Sequence, residues 1–216
     1  MFLDLLVTRE FRDGDGIRNA ADLPHQGKGA SFIEKRLIEL QKEYGRDGRV
    51  VSNSLQTNGV LLDEKWCRLL SENKFLVGIS LDGPKELHDY YRVDHSGNGS
   101  FDSVMQSIEM CSSHDVEFNV LVLVNDHNVQ QPDALFDFFV EHKIKYLQFV
   151  PCVENDSQTG QLAEYSVSAR QYGEFLCRFF DRWYEYGSAK LSIRDFDSIL
   201  NYYVTGAHSI CTFNRQ

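Results

Sequence analysis

The sequence predicts an α/β fold built around a parallel sheet. Apolar stretches such as Phe75–Leu81 and Val116–Val124 run almost without interruption, which is typical of strands buried on both faces. Stretches with helical spacing separate them, as in the series Val104, Ile108 and Cys111. Repeated β–α units of this kind form either an open doubly wound sheet or a barrel. We count about five strands, too few for a closed eight-stranded barrel.

Local signals mark the individual elements. Strands are predicted at 50–56, 75–81, 116–124, 146–151 and 190–194. Helices are predicted between them, around 32–40, after Asp63, from Ser100, from Pro132, from Ser168 and over Asp197–Val204. Asp63 is a helix-capping residue type, Pro132 suits a first helical turn, and Ser168 has the spacing of a capping box with Gln171. Residues 9–30 have no persistent period and are predicted to be loop-like.

The composition narrows the class of protein. The chain has 216 residues, 42% of them hydrophobic, and a formal net charge of −10. Such a chain can build a sizeable core, and its acidic balance disfavours nucleic acid as a partner. No apolar stretch is long enough to span a bilayer, and no basic region of the signal-peptide kind stands at the start. We therefore expect a soluble, cytoplasmic protein with neither a nucleic-acid nor a membrane partner.

The cysteines and histidines give no metal-binding pattern. Five cysteines are scattered without a C-x-x-C pair, which suits neither a zinc site nor a disulfide framework. Cys67, Cys111 and Cys177 each fall on the apolar side of a predicted helix, where free cysteine is usually a small buried hydrophobe. The histidines, among them His88 and His127, lack paired helical spacing and are predicted to be solvated or turn residues. No metal ligand is therefore predicted.

Polar side chains cluster just after each predicted strand. In parallel α/β folds, ligands bind beyond the carboxyl ends of the strands. The segments found there include Gln56–Gly59, Ser80–Pro84, Asn125–Asn128 and Arg194–Asp197. Asn-Gly and Asp-Gly-Pro are also strong turn formers, so each segment taken alone is explained as a turn. Their recurrence at several strand ends favours a shared pocket for a small polar ligand.

Several segments, taken together and in order, resemble one enzyme family. They are Asn53–Gly59, Phe75–Pro84, His88-Asp89 with Arg92, Val116–Val120, Leu147–Pro151 and Ser192–Asp197. The set is similar to the anaerobic sulfatase-maturating enzymes, which are radical S-adenosylmethionine (SAM) enzymes with auxiliary iron–sulfur clusters. The resemblance extends from about Gln26 to Cys211. Peptide-modifying relatives share Gln-Thr-Asn-Gly and Asp-Gly-Pro, whereas Ser-Ile-Arg-x-Phe-Asp is more particular to sulfatase maturation.

The resemblance implies a partial parallel (β/α)6-type barrel of the radical SAM kind, incomplete at its first strand. It divides the chain into an atypical N-terminal segment 1–25, a partial barrel 26–205 and the start of an auxiliary-cluster region at 206–216. In this family a 4Fe–4S cluster binds S-adenosylmethionine (AdoMet) and cleaves it reductively to a 5′-deoxyadenosyl radical. That radical takes a β-hydrogen from a cysteine or serine of a sulfatase polypeptide, and oxidation yields formylglycine. The implied cofactors are AdoMet and the cluster, and the implied partner is a sulfatase polypeptide.

Site residues follow from the resemblance by matching position. Four would contact AdoMet, two of them (Ser80 and Arg92) at its methionine part and two (Gln56 and Leu147) as the lining of the same cavity. Asp197 would be the base that deprotonates the substrate, and Asp195, two residues earlier, is the alternative. A guanidinium suits a ligand carboxylate, and a carboxylate can accept a proton once the substrate radical has formed.

The sequence also departs from the family pattern. The family holds its primary cluster through C-x-x-x-C-x-x-C, whose three thiolates leave one iron open, and residues 1–25 contain no cysteine. The next family motif, Gly-Gly-Glu-Pro, is reduced to Gly27-Lys-Gly-Ala30. The auxiliary-cluster region should begin near Cys211, close to the last residue, Gln216. We therefore expect a maturase barrel that is truncated or degraded at both ends and inactive as written.

Three hypotheses about function follow. The first is an oxidoreductase that performs radical SAM sulfatase maturation with cluster ligands supplied from elsewhere. The second is a cluster-free remnant that binds a peptide or AdoMet through the strand-end loops. The third is a non-functional gene fragment. The sequence leaves open the client sulfatase, the choice between cysteine and serine as target, and the oligomeric state.

Overall fold

A computed structural model describes residues 36, 38–44, 53–156, 159–207 and 210. The helices among them are α1 (Glu39–Tyr44), α2 (Glu64–Glu72), α3 (Lys85–Tyr91), α4 (Phe101–Ser113), α5 (Pro132–Glu141), α6 (Ala169–Tyr186) and α7 (Arg194–Thr205). The strands are β1 (Asn53–Thr57), β2 (Phe75–Ser80), β3 (Glu117–Val124), β4 (Tyr146–Pro151) and β5 (Ser192–Ile193). The predicted segment 1–25, Gly27–Ala30 and Cys211 lie outside the described residues.

The strands form one sheet in the order β1-β2-β3-β4-β5. The pairs β1–β2, β3–β4 and β4–β5 are parallel. A doubly wound sheet reverses its strand order at a switch point, whereas a barrel keeps sequence order from strand to strand. The observed order therefore confirms the predicted α/β class and matches the partial barrel that the resemblance implies.

The chain divides into two compact units, which are described separately. The first contains α1, β1, α2, β2 and α4. Its strands pair with Asn53 opposite Phe75 and Thr57 opposite Ile79, and α2 packs against both β2 and α4. The buried core is made by apolar side chains from these elements, namely Leu55, Cys67, Leu70, Val77, Ile79, Val104, Ile108 and Cys111.

The second unit contains α3, α5, α6, α7, β4, β5 and β3 from Asn119 onward. Its core is aromatic where β4 meets α6. The Phe149 ring packs edge-on against Phe175 and Phe179, with ring centroids 5.2 and 4.8 Å apart. Trp183 is buried and donates its indole N–H to the carbonyl of Leu191 at 2.7 Å. Among the described helices, none has the length and apolar character needed to cross a membrane.

The predicted helix starts are confirmed where a capping residue marks them. The carboxylate of Asp63 accepts the Trp66 backbone N–H at 2.9 Å. Pro132 is the first residue of α5. Ser168 and Gln171 form the predicted capping box, in which each side chain bonds to the other residue's backbone. These signals act within one helical turn, so the local sequence is sufficient to specify them.

The last strand and helix differ from their predicted bounds. The strand predicted at 190–194 is reduced to β5, and Ser188–Lys190 forms a 3₁₀ turn. One cause of the shorter strand is that the Leu191 carbonyl accepts the indole N–H of Trp183 and not a backbone N–H of a neighbouring strand. Helix α7 begins at Arg194 rather than Asp197, so Asp195 and Asp197 both lie in its first turn, where the helix dipole favours carboxylates. The helix ends at Thr205. The domain boundary predicted between residues 205 and 206 stays a prediction.

Candidate functional site

The second unit contains an ion pair between Asp82 and Arg92 in which the carboxylate is buried. Asp82 is 2% exposed and follows β2, and Arg92 follows α3. The Arg92 Nε and Nη2 groups donate to the two carboxylate oxygens of Asp82 at 2.5 and 3.1 Å. The backbone N–H of Leu123 donates to the same carboxylate at 2.8 Å. This two-point contact fixes the plane of the guanidinium, which still has 26% of its side-chain surface exposed.

Buried side chains hold the backbone around Asp82. Its N–H donates to Nδ1 of His88 at 3.1 Å, and its carbonyl accepts from Nδ2 of Asn128 at 3.2 Å. Asn128 also donates to the Leu123 carbonyl at 2.9 Å and exchanges backbone-to-side-chain bonds with Asn125. A single network therefore joins the loop after β2 to the loop after β3 within the second unit.

His88 is fully buried, so the prediction of a solvated or turn histidine is wrong for this residue. His88 is a residue of α3, and Nδ1 of its ring accepts the Asp82 backbone N–H. Burial lowers the pKa of His88 to about 4, although the nearby Asp82 carboxylate opposes the shift. The ring is therefore neutral near pH 7, and a neutral ring can accept at Nδ1.

The first unit presents two of the predicted site residues on one open face of its strand pair. Leu55 and Thr57 point into the core, so Gln56 between them points away and is exposed. Ser80 ends β2 and is partly buried. The segment after β1 is a turn, because the Thr57 hydroxyl accepts the Gly59 N–H at 3.1 Å. Gly59 has φ +77°, and a Cβ there would come within 3.1 Å of Ile79.

The second unit places Leu147 and Asp197 on different sides of its strands. The Leu147 side chain is buried on the same side as Phe149, which packs against α6. The opposite side carries Tyr146, whose strand partner is Ser192. The Ser192 hydroxyl donates to Asp197 at 2.5 Å, which brings that carboxylate toward the Tyr146 side. Any contact of Leu147 with a ligand on that open side would therefore come from its main chain.

Asp195, the alternative base, has different surroundings. One carboxylate oxygen of Asp195 and the hydroxyl of Ser198, one helical turn later, are buried and have no hydrogen-bond partner among the described residues. Desolvation raises the pKa of Asp195, against the opposing charge of Arg194. The Asp195 charge also helps to raise the pKa of Tyr172 on α6, after desolvation as the main cause. Asp195 therefore lies toward the helix layer, whereas Asp197 lies toward the open side.

We expect Asp195→Asn to stabilise the protein at neutral pH. A carboxyl whose folded pKa is raised loses stability as pH rises above its ordinary value near 4. Removing the charge should raise the free energy of unfolding at pH 7 by less than about 1.4 kcal/mol, the equivalent of one pKa unit, because the carboxyl is only partly buried. The gain should vanish toward pH 4. Urea unfolding at several pH values measures it. The exposed Asp181→Asn on α6 is the control, and an equal gain from both variants would contradict the assignment of a buried charge.

The four cysteines in the described part of the chain are free thiols, of which Cys67, Cys111 and Cys152 are buried and Cys177 is exposed. Cys67 and Cys111 are fully buried, with sulfur atoms 3.8 Å apart, and desolvation raises the pKa of both. Cys177 is exposed, so its predicted burial is wrong. It lies two residues from both Phe175 and Phe179, about 200° around α6 from each. No group of three metal-ligand side chains occurs among the described residues.

Comparison with known proteins places the chain in a family. Residues 24–139 match the model of the Radical SAM superfamily, and the chain belongs to that family. The serine-type anaerobic sulfatase-maturating enzyme of Bacteroides thetaiotaomicron is 41% identical over 196 residues, 84% of this chain and 47% of the relative. The cysteine-type enzyme of Clostridium perfringens is 37% identical over 219 residues, 98% of this chain and 58% of the relative.

A solved structure agrees with these relatives. The structure titled "Native anSMEcpe with bound AdoMet and Cp18Cys peptide" matches with a TM-score of 0.78 and 39% identity, over 85% of this chain and 51% of that one. The same protein "with bound AdoMet" matches with a TM-score of 0.77. The chain thus spans about half the length of the relatives it matches.

The residues present fit the two family cofactors unequally. Arg92 is a fixed guanidinium at a strand-end loop, which suits the carboxylate of AdoMet. A 4Fe–4S cluster needs three neighbouring thiolates, and the sequence has no C-x-x-x-C-x-x-C. The described cysteines do not supply such a group either, because no three metal-ligand side chains come together. We therefore assign no step to a cluster held by this chain.

No sequence signal predicted the buried hydrogen-bond network that supports Arg92. The loops containing Asp82, His88 and Asn128 were identified, but no role was predicted for these three side chains. Their spacing carries a weak signal, since Asp82 precedes the short helix α3, His88 lies within it and Arg92 follows it. Asn128 comes from a distant loop, and only the fold brings it to Asp82.

Proposed function

We propose that this chain is the AdoMet- and peptide-binding part of an anaerobic sulfatase-maturating radical SAM protein. The observation that carries the proposal is the buried Asp82–Arg92 pair, which orients a guanidinium beside the strand ends. The similarity to enzymes of this name, and to a structure titled with bound AdoMet and a peptide, supports the choice of ligands. The substrate proposed for the whole protein is a cysteine or serine of a sulfatase polypeptide.

In this proposal the residues of the chain bind and orient AdoMet and the peptide, and Asp197 accepts a proton from the substrate. Arg92 would pair with the AdoMet carboxylate, and the main chain of Leu147 would be a further contact in the second unit. The AdoMet contacts predicted for Ser80 and Gln56, in the first unit, stay predictions. In radical SAM enzymes, AdoMet supplies the group that abstracts hydrogen. Asp197 would accept the substrate proton, since its carboxylate is turned to the open side and the Ser192 hydroxyl holds it in place.

AdoMet titration by calorimetry tests the proposal. We expect the unmodified chain to bind AdoMet and Arg92→Gln to bind it at least about tenfold more weakly, because a charge-assisted hydrogen bond is lost. Arg182→Gln is a matched control, since Arg182 is equally exposed at 26% and is also paired with aspartates, but lies on α6. Absence of heat with the unmodified chain, or equal weakening by both variants, would overturn the proposal.

A further inference from the structure

Two thiols meet inside the core of the first unit. Cys67 of α2 and Cys111 of α4 are fully buried, and their sulfur atoms lie 3.8 Å apart. The two helices pack against each other, which places side chains separated by 44 residues of sequence in contact. In the part of the chain that the structure describes, Cys152 and Cys177 have no such sulfur neighbour. We refer to Cys67 and Cys111 as the thiol pair.

The separation of the thiol pair is close to that of a disulfide. Bonded sulfur atoms lie about 2.05 Å apart, so these two must approach by about 1.8 Å. Rotation of both side chains about their Cα–Cβ bonds supplies much of this movement, because the sulfur is the first atom beyond Cβ. The neighbouring turns of the two helices carry the buried apolar residues Leu70 and Ile108, which offer the thiols no other polar partner. Each thiol therefore has the other as its nearest reactive group.

We propose that the thiol pair is a modification site, at which a small peroxide such as hydrogen peroxide oxidises Cys67 and Cys111 to an intrachain disulfide. One sulfur attacks a peroxide oxygen, so that an S–O bond forms, the O–O bond breaks and water leaves. The second sulfur then attacks the resulting sulfenic acid, so that the S–S bond forms, the S–O bond breaks and a second water leaves. The two thiols lose two electrons in total, and the peroxide is reduced to two waters.

Burial sets the order of events at this site. Neither thiol touches solvent, and desolvation raises the pKa of both, so the first attack needs a local opening of the packed helices. Once one sulfur is oxidised, its partner is already adjacent and closes the bridge. The exposed Cys177 reacts without an opening, but no described cysteine is placed to form a bridge with it.

The bridge would tie together the parts that hold the turn after β1. The Ser107 hydroxyl of α4 donates to the Gly59 carbonyl at 2.5 Å. Helix α2 begins shortly after that turn, with Asp63 as its capping residue. Linking α2 to α4 therefore restrains both supports of the turn. This inference is independent of the proposed AdoMet binding, since it concerns the core of the first unit.

Peptide mass spectrometry tests the inference. The folded, fully reduced chain is treated with hydrogen peroxide, its remaining thiols are alkylated in urea, and the digest is searched for linked peptides. We expect one predominant linked pair, which joins the Cys67 peptide to the Cys111 peptide and disappears with dithiothreitol. If both cysteines are still alkylated when Cys177 is fully oxidised, or if bridges form at random as in the urea-unfolded chain, the inference is wrong.

Urea unfolding measures whether the native fold accepts the bridge. The midpoint for the oxidised chain should lie about 1 M above that of the reduced chain, because the bridge closes a long loop in the unfolded state. Cys67→Ala should abolish the linked pair and this shift, and Cys111→Ala serves if that variant does not fold. The matched control Cys177→Ala should keep both. An unchanged or lower midpoint after oxidation would show that the bridge does not fit the packed helices.

Discussion

Asp82→Ala should cost about 3–5 kcal/mol of folding stability, the range for breaking a buried ion pair by removing one partner. The carboxylate accepts three hydrogen bonds, two from Arg92 and one from the Leu123 backbone. Without it, the Arg92 charge and the Leu123 N–H both lose a partner in a buried setting. Urea unfolding of both proteins at pH 7 measures the loss. AdoMet affinity should fall as well, because the guanidinium is no longer held in one plane.

A second variant keeps this prediction testable if the alanine protein does not fold. Asp82→Asn keeps the shape and one acceptor for Leu123 but removes the charge, and should cost less, about 1.5–3 kcal/mol. The comparison is Asp137→Ala, which breaks an ion pair with Arg182 at the surface, where such pairs contribute about 0–1 kcal/mol. If Asp82→Asn and Asp137→Ala cost the same, the Asp82–Arg92 pair does not have the buried role assigned to it.

The features that the sequence predicted correctly are those that depend on neighbouring residues. A capping box such as Ser168 with Gln171 is complete within one helical turn. The parallel sheet could be predicted from apolar strands that alternate with helices, because a strand buried on both faces is apolar throughout and does not alternate with polar residues. The shortened β5 could not be predicted in this way, because the hydrogen bond to the Leu191 carbonyl comes from Trp183, which lies on α6.

The parts of the candidate site that the sequence left open depend on which side of an element faces the core. In an almost wholly apolar strand, Leu147 and Val150 have the same local signature, yet one is buried and the other is 37% exposed. His88 stands in a polar stretch with Asp89 and Tyr90, and tertiary packing alone makes it a core residue. For the same reason the two aspartates of α7 could be told apart only from their neighbours in the fold.

The burial of His88 predicts a pH dependence of stability. A histidine whose folded pKa is about 4 and whose unfolded pKa is about 6.5 binds more protons in the unfolded chain between those values. Stability from this residue is complete above pH 6.5 and is lost as pH falls toward 4. The full loss for one such group is about 3 kcal/mol, at 1.36 kcal/mol per pKa unit.

Removing the titrating ring isolates that contribution. His88→Gln keeps an acceptor that can reach the Asp82 N–H and has no proton to gain, so its stability should fall less steeply between pH 6.5 and 4. The exposed His142→Gln on the same background should follow the unmodified protein. Parallel profiles for all three proteins would mean that His88 is not held neutral in the folded state. A flatter profile for His88→Gln alone would tie the acid sensitivity of the fold to the residue that supports Asp82, and through Asp82 to the position of Arg92.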